Sequence, residues 1–423
     1  MKKTVGNIIC ILLSLVILTG CAGCKRTAKF AADFIYEAKA AVSATSSPAT
    51  SSSPPKEEPV EDNYSKIEFY NDFGQRESVS RSKIGNYQPI YFKYMSSYYK
   101  RQLSQEEQIA YNALLYAMEH NFTNIVIKVD SYEFDFYRAR SALALDSPFL
   151  EQNFWADESY AEIDTLTMCY TISAFNEDAW NLKIQALNKA EEIVASIPAD
   201  ADSDIERMAY LYDYVRQNVK YSSYEDESRP NYLYDALCSG VTICDGYSNA
   251  LSLLFNMAGI ESCEVMGSSS EDEDAEGHTW VAAPLNGTFY NFDATSDTLH
   301  NDGFDSYRCY FGVSDRIMNM AMFLYDDMRP VCNDESRDMI MADGSFGNML
   351  LYETERAAAR LCNERAAKGK MKTLLAFEGD YTRDNVDTFI NEYIEFLEYG
   401  ESIEYVSLRD KGRALILITI NEF

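Results

Sequence analysis

The chain has 423 residues, a length that predicts two to three domains. At 47% hydrophobic and 25% charged it has the composition of a globular protein with ample core, which excludes a disordered or collagen-like chain. A formal charge of −30 excludes the clustered basic surface that tracks along nucleic acid.

The N-terminus reads as an address. Lys2 and Lys3 precede an apolar run from Ile8 to Leu18, too short to span a bilayer and followed by small residues, the pattern of a secretory signal. The junction Leu18-Thr19-Gly20-Cys21 resembles a bacterial lipobox. That resemblance implies a signal peptide over 1–20, a lipid on Cys21 and an extracytoplasmic, membrane-anchored protein at the cell surface or envelope. Residues 21–62 then form an anchor and linker: Lys25, Arg26 and Lys29 can rest on anionic headgroups, and the Ser/Pro-rich stretch after Ser43 has nothing to bury.

Residues 63–200 read as an N-terminal α+β region. Ser104-Gln105-Glu106-Glu107 is a capping box, followed by an apolar stripe of Ile109, Leu114, Leu115 and Met118. Ile125-Val126-Ile127 and Leu166–Ile172 read as strands, and Trp180–Ile197 as a helix with Leu182, Leu187, Ile193 and Val194 inward. The many tyrosines read as half-buried packing.

Residues 201–335 carry the chemistry. Ser203-Asp204-Ile205-Glu206 opens a helix with Ile205, Met208, Ala209, Tyr212 and Val215 inward. Cys244-Asp245-Gly246-Tyr247 precedes Ala250, Leu251, Leu254 and Ala258 at helical spacing, and Gly259 fits a left-handed stop. Cys244 is therefore expected at a helix N-terminus, where the dipole favours a thiolate. Ser262–Gly267 reads as a strand, and an acidic loop with Glu271, Asp272, Glu273, Asp274 and Glu276 leads to His278. Asn286-Gly287 is a two-residue hairpin signal between apolar runs. Its register sets Leu285 opposite Thr288, Trp280 opposite Asp293 and His278 opposite Thr295, so that His278, Trp280 and Asp293 share a face. A thiol on a helix N-terminus, an imidazole and a carboxylate are the parts of an acyl-transfer site.

At these residues the sequence resembles the transglutaminase-like superfamily, whose architecture is papain-like. The likeness rests on Cys244 to Ala250 with the helix end at Gly259-Ile260, on Gly277-His278-Thr279-Trp280 and on Asn291-Phe292-Asp293-Ala294-Thr295, with Tyr310 to Asp315 resembling a tract of bacterial lipoprotein members. It covers roughly residues 202–330. It implies an α+β fold with a central transglutaminase-like domain and smaller flanking regions, and a catalytic triad of Cys244, His278 and Asp293. Two positions depart from the pattern: Val281 stands where members often have Asn, and Ser296 where many have an aromatic. Both bear on the substrate pocket, for which Tyr234, Tyr247 and Trp280 are candidates. Tyr232, Tyr234 and the Cys244 N–H are candidates for the oxyanion donor.

Residues 336–423 form a C-terminal α+β region, with Leu350–Ala367, Lys372–Phe377, Asp384–Tyr399, Ile403–Ser407 and Ala414–Ile420 reading α-β-α-β-β. Cys238, Cys263, Cys169, Cys309, Cys332 and Cys362 read as buried small hydrophobes. His120 and His300 read as surface residues, and no spacing suggests a metal site or a cofactor. The sequence thus points to a cysteine-dependent peptidase, amidase or acyltransferase. Its expected partners are a peptide or protein substrate, amine-bearing or cell-wall derived, and the membrane through Cys21. A non-catalytic binding or scaffold module keeping the same fold stays open.

Overall fold

The computed structural model describes residues 65–421 apart from 72–73, 129–133, 150–160, 164–166, 172–176, 223–231, 270–276, 300–307, 319, 323–326, 336–354, 370, 379–389, 392–401 and 411–412. The signal, Cys21, the linker, the acidic loop before His278, His300 and nearly all of the helix expected over 384–399 lie outside the described residues.

In chain order the first half runs β1 (Lys66–Tyr70), β2 (Arg76–Ser80), α1 (Arg81–Gly85), α2 (Gln105–Glu119), β3 (Asn124–Lys128), α3 (Phe136–Asp146), β4 (Ala161–Ile163), β5 (Thr167–Thr171) and α4 (Glu177–Ala195). The second half runs α5 (Asp204–Asn218), β6 (Lys220–Tyr221), β7 (Val241–Thr242), α6 (Cys244–Met257), β8 (Cys263–Ser269), β9 (Gly277–Leu285), β10 (Thr288–Phe292), α7 (Ala294–Leu299), β11 (Phe311–Val313), α8 (Asp315–Met318), β12 (Met320–Met322), α9 (Glu355–Ala366), β13 (Lys372–Glu378), β14 (Ser402–Asp410) and β15 (Arg413–Asn421). This is an α+β fold. The described residues divide into two compact units, one drawn from 65–211, 222–281 and 320–329, the other from 212–221, 282–319 and 330–421.

In the first unit, β2-β1-β3-β5-β4 form an antiparallel sheet. Ile67, Phe69, Val79, Ile125 and Ile127 are buried at alternate positions of their strands, the period-2 pattern that commits one face to the core. Helix α2 starts at the expected capping box: Ser104 accepts from the Glu107 N–H, and the Glu107 side chain accepts from the Ser104 N–H. Every residue from Ile109 to Met118 is buried, so the helix is enclosed all round rather than amphipathic. The loop before it is tied to its end by one carboxylate. Glu119 accepts N–H bonds from Ile90, Tyr91 and Phe92 and the Tyr87 hydroxyl. His120 is half-buried, stacked on Tyr116 at 3.9 Å with Nδ1 2.9 Å from the Tyr116 carbonyl, which corrects its reading as a surface residue.

Two further carboxylates anchor this unit. Asp146, fully buried, accepts from the Tyr99 and Lys100 N–H groups and the Tyr111 hydroxyl, and burial raises its pKa to about 6. Glu261 accepts from Arg101 and from the Ser97 N–H. Helix α4 packs against α6, but its buried side chains are Lys183, Ala186, Ala190 and Ile193, whereas Leu182, Leu187 and Val194 are only half-buried. Of the expected stripe only Ile193 is buried; the buried face instead follows 183, 186, 190 and 193 at helical spacing.

In the second unit the hairpin forms as the sequence predicts. Asn286 and Gly287 have φ of 53° and 83°, the two left-handed residues that a type I′ turn requires. Strand β10 then ends at Phe292, one residue early. Asp293 and Thr295 are not strand residues: Asp293 instead caps α7, its carboxylate accepting the Ser296 N–H. Phe292 and Phe311 pack edge to face at 5.0 Å, and Asn291 reaches the Asp315 carboxylate at 3.1 Å. The C-terminal sheet has the order β13-β15-β14, with Leu375, Ile416, Ile418 and Ile420 buried.

Candidate active site

Helix α6 begins at Cys244. The chain reaches it through a helical turn at Tyr232–Tyr234, a π-helical turn at Asp235–Ser239, Gly240 at φ 70°, and β7. The left-handed Gly240 closes the π turn by donating its N–H to the Asp235 carbonyl. A π turn has no periodic signal of its own, so the sequence pattern does not reveal this segment. Gly246 allows the helix to sit on β7. A Cβ there would lie 2.1 Å from Thr242 Oγ1, so only glycine fits. Ile243 occupies the N-cap and makes no side-chain capping bond. Ser248 donates its hydroxyl to the Cys244 carbonyl at 3.0 Å, and Gly259 ends the turn at φ 82°. Cys244 is 2% exposed.

The neighbour of Cys244 links it to the histidine segment. Asp245 Oδ1 accepts the Thr279 hydroxyl at 2.6 Å and lies 4.0 Å from the Cys244 thiol, which donates to it. Thr279 directly follows His278 on β9. The His278 ring is half-exposed and stacks against Trp280 with centroids 5.9 Å apart. Beneath α6, Asn249 donates to Glu264 at 2.7 Å. Burial, with a smaller contribution from the Asp245 charge, pushes the Glu264 carboxyl well above its ordinary range.

Asp293 belongs to the second unit and is 1% exposed. Its carboxylate accepts the Ser296 N–H at 3.0 Å and the Ser296 hydroxyl at 2.6 Å, and its backbone carbonyl accepts the Tyr212 hydroxyl at 2.9 Å. Tyr212 also donates to Asp297 at 2.5 Å, and Asp297 accepts the Cys309 and Tyr310 N–H groups. Burial raises the Asp297 pKa to about 7, against the lowering effect of these bonds and of Arg216. Asp213 carries Arg308 on both oxygens and Arg216 on one.

Of the pocket candidates, Tyr247 and Trp280 are core side chains, each 1% exposed, while Tyr234 is half-buried. Tyr232 is buried. Cys263, Cys309, Cys332 and Cys362 are buried as expected. Cys238 is not: it is exposed at the end of the π turn, a correction that follows from the unanticipated helical segment. Its thiol is held above the ordinary range by partial burial. Among the described residues, no group of three metal-ligating side chains converges, and no helix is long and apolar enough to cross a membrane.

Residues 191–294 match the model of the transglutaminase-like superfamily, so the chain carries a transglutaminase-like domain, and Cys244, His278 and Asp293 all fall inside the match. Among solved structures the chain is similar to a candidate cysteine protease from Cytophaga hutchinsonii, at 12% identity and a TM-score of 0.25 over 44% of this chain and 72% of that one. It is also similar to a TGase, at 16% identity and 0.23 over 40% and 50%. A third is the periplasmic domain of TgpA from Pseudomonas aeruginosa, at 16% and 0.23 over 33% and 56%. The chain thus spans about half the length of the last two. No curated protein matches the sequence.

Proposed function

We propose that the chain is a thiol enzyme acting on amide bonds, with Cys244 as nucleophile, His278 as general acid and base, and Asp293 as the carboxylate that fixes the imidazole tautomer. The observation that carries this reading is Cys244 at the first position of α6, behind an isoleucine N-cap that offers no capping side chain. In the reaction the Cys244 thiolate attacks the carbonyl carbon, and the charge on oxygen is met by the Cys244 N–H. The C–N bond breaks as the imidazolium gives its proton to the departing amine. Water then attacks the thioester, losing its proton to His278, and the acid leaves as the thiol is restored. An amine in place of water gives transamidation. Hydrolysis of a peptide or isopeptide bond is the reading we favour, since water is the abundant acceptor outside the cell.

Anchoring belongs to the same proposal. Lys2, Lys3, the Ile8–Leu18 run and the Leu-Thr-Gly-Cys junction support lipid on Cys21, and the acidic residues 271–274 support amine-bearing or cell-wall-derived substrates.

The test is a limiting dose of iodoacetamide on the full chain, mapped by mass spectrometry, beside turnover of a panel of peptide and isopeptide amides. Cys244 should label first, and Cys244→Ala should abolish turnover with the fold intact. Labelling of exposed Cys238 ahead of Cys244, or activity surviving in Cys244→Ala, would overturn the assignment; absence of both turnover and thiol reactivity would leave a binding module as the function.

A further inference from the structure

Asp245 and Thr279 are each the residue after a proposed catalytic group, and they are joined to one another across 34 positions of sequence. Thr279 is 4% exposed, so water competes little for its hydroxyl. The same carboxylate oxygen that accepts this hydroxyl also accepts the Cys244 thiol. One oxygen therefore serves two donors of unequal strength, an O–H at 2.6 Å and an S–H at 4.0 Å.

We infer that Thr279 and Asp245 form a positioning clasp that sets the pH at which Cys244 becomes reactive. The inference rests on the reading of Cys244 as nucleophile. A carboxylate beside a thiol opposes thiolate formation by like-charge repulsion and by holding the S–H proton. The Thr279 hydroxyl offsets this by drawing the carboxylate's charge towards itself, and it fixes that oxygen at a distance where it holds the thiol only weakly. The clasp thereby ties the strand that carries His278 to the first turn of α6 and weakens, without abolishing, the suppression of the nucleophile by the Asp245 charge.

Other titratable groups near this point are accounted for. Glu264, on β8, is buried and bonded to Asn249, and burial followed by the Asp245 charge raises its pKa. His278, the proposed general base, directly precedes Thr279 on β9. On the turn preceding β7, Asp235 is buried, and the Cys238 thiol is coupled to Lys189 and Glu192 of α4.

The experiment measures the rate of iodoacetamide alkylation at Cys244 against pH in the full chain, a readout that needs no substrate. Thr279→Val removes the hydroxyl and should move the midpoint of the profile up, slowing alkylation at pH 7 by roughly threefold or more. Thr279→Ser keeps the hydroxyl and should restore the wild-type profile. Asp245→Asn keeps an acceptor for Thr279 but removes the charge, and should move the midpoint down. A merely structural clasp would slow both variants or neither, so the opposite directions are the diagnostic. Profiles of Thr279→Val and Asp245→Asn that match the wild type, or shift together, would overturn the proposal. Should Thr279→Val fail to fold by circular dichroism, Asp245→Asn decides alone: an unchanged or raised midpoint sinks the clasp. Fast labelling that persists in Cys244→Ala would instead refute the nucleophile reading, a separate failure.

Discussion

Ser296 binds both oxygens of the Asp293 carboxylate, its N–H reaching Oδ1 at 3.0 Å and its hydroxyl Oδ2 at 2.6 Å. The position where many relatives carry an aromatic is thus the one that fixes the proposed third member of the triad. Removing the hydroxyl leaves a buried carboxylate oxygen short of a charge-assisted bond, a loss of about 1.5–3 kcal/mol. Ser296→Ala should lower the thermal midpoint and slow turnover, and Ser296→Thr should retain much of both. Calorimetry and kcat on the two variants check this, and an unchanged midpoint in Ser296→Ala would remove the hydroxyl from the account.

Stability should fall as pH rises from the acid side to neutrality. Asp297 and Asp146 bind their protons more tightly folded than unfolded, with folded values of about 7 and about 6 set chiefly by burial. Their contribution is fully present below the unfolded value near 4, and is lost as pH climbs through the folded values, at about 1.4 kcal/mol per unit of difference. The thermal midpoint should therefore be higher at pH 5 than at pH 8. Asp297→Asn and Asp146→Asn should each flatten part of that slope, whatever they do to the absolute midpoint. Slopes identical to the wild type would show that neither carboxyl holds a proton in the folded chain.

Gly246→Ala tests the seat of α6. The added methyl would fall against the buried Thr242 side chain, and overpacking of this kind costs about 1–3 kcal/mol. Urea titration should show a lower midpoint with an unchanged slope, together with slower alkylation of Cys244 as the helix start is displaced. A wild-type midpoint would mean that β7 yields at no cost.

Processing at Cys21 is checked on protein from the native membrane fraction. Intact-mass and N-terminal peptide analysis should give a chain beginning at a diacylated Cys21, and Cys21→Ser should release the protein from the membrane. An unmodified N-terminus or cleavage elsewhere rejects the anchor.

What the sequence made legible follows the range of each signal. The Ser104 and Ser203 capping boxes and the Asn286-Gly287 turn are patterns of two to four residues, and all three form. Cys244 at a helix start was legible for the same reason. Asp293 was misplaced in the strand because Thr288 to Asp293 reads as one continuous run, although Asp293-Ala294-Thr295-Ser296 also carries a capping pattern that could have ended it. The Thr279–Asp245 and Asn249–Glu264 bonds join distant segments and leave no periodic trace. The buried stripe of α4 could not be found by hydrophobicity alone, since Lys183 turns inward to reach the Phe149 carbonyl.

The uncapped start of α6 has a consequence for anyone who would make this protein more robust. A serine, threonine or aspartate in place of Ile243 is the routine way to strengthen a helix, and such caps contribute about 1 kcal/mol. Here a capping side chain would bond the N–H of Asp245 or Gly246, next to the Cys244 N–H proposed to meet the oxyanion, and would put a polar group in a buried apolar position. Residue 243 is thus a place where durability and reactivity meet in one helical turn, and a stabilising library should leave it alone.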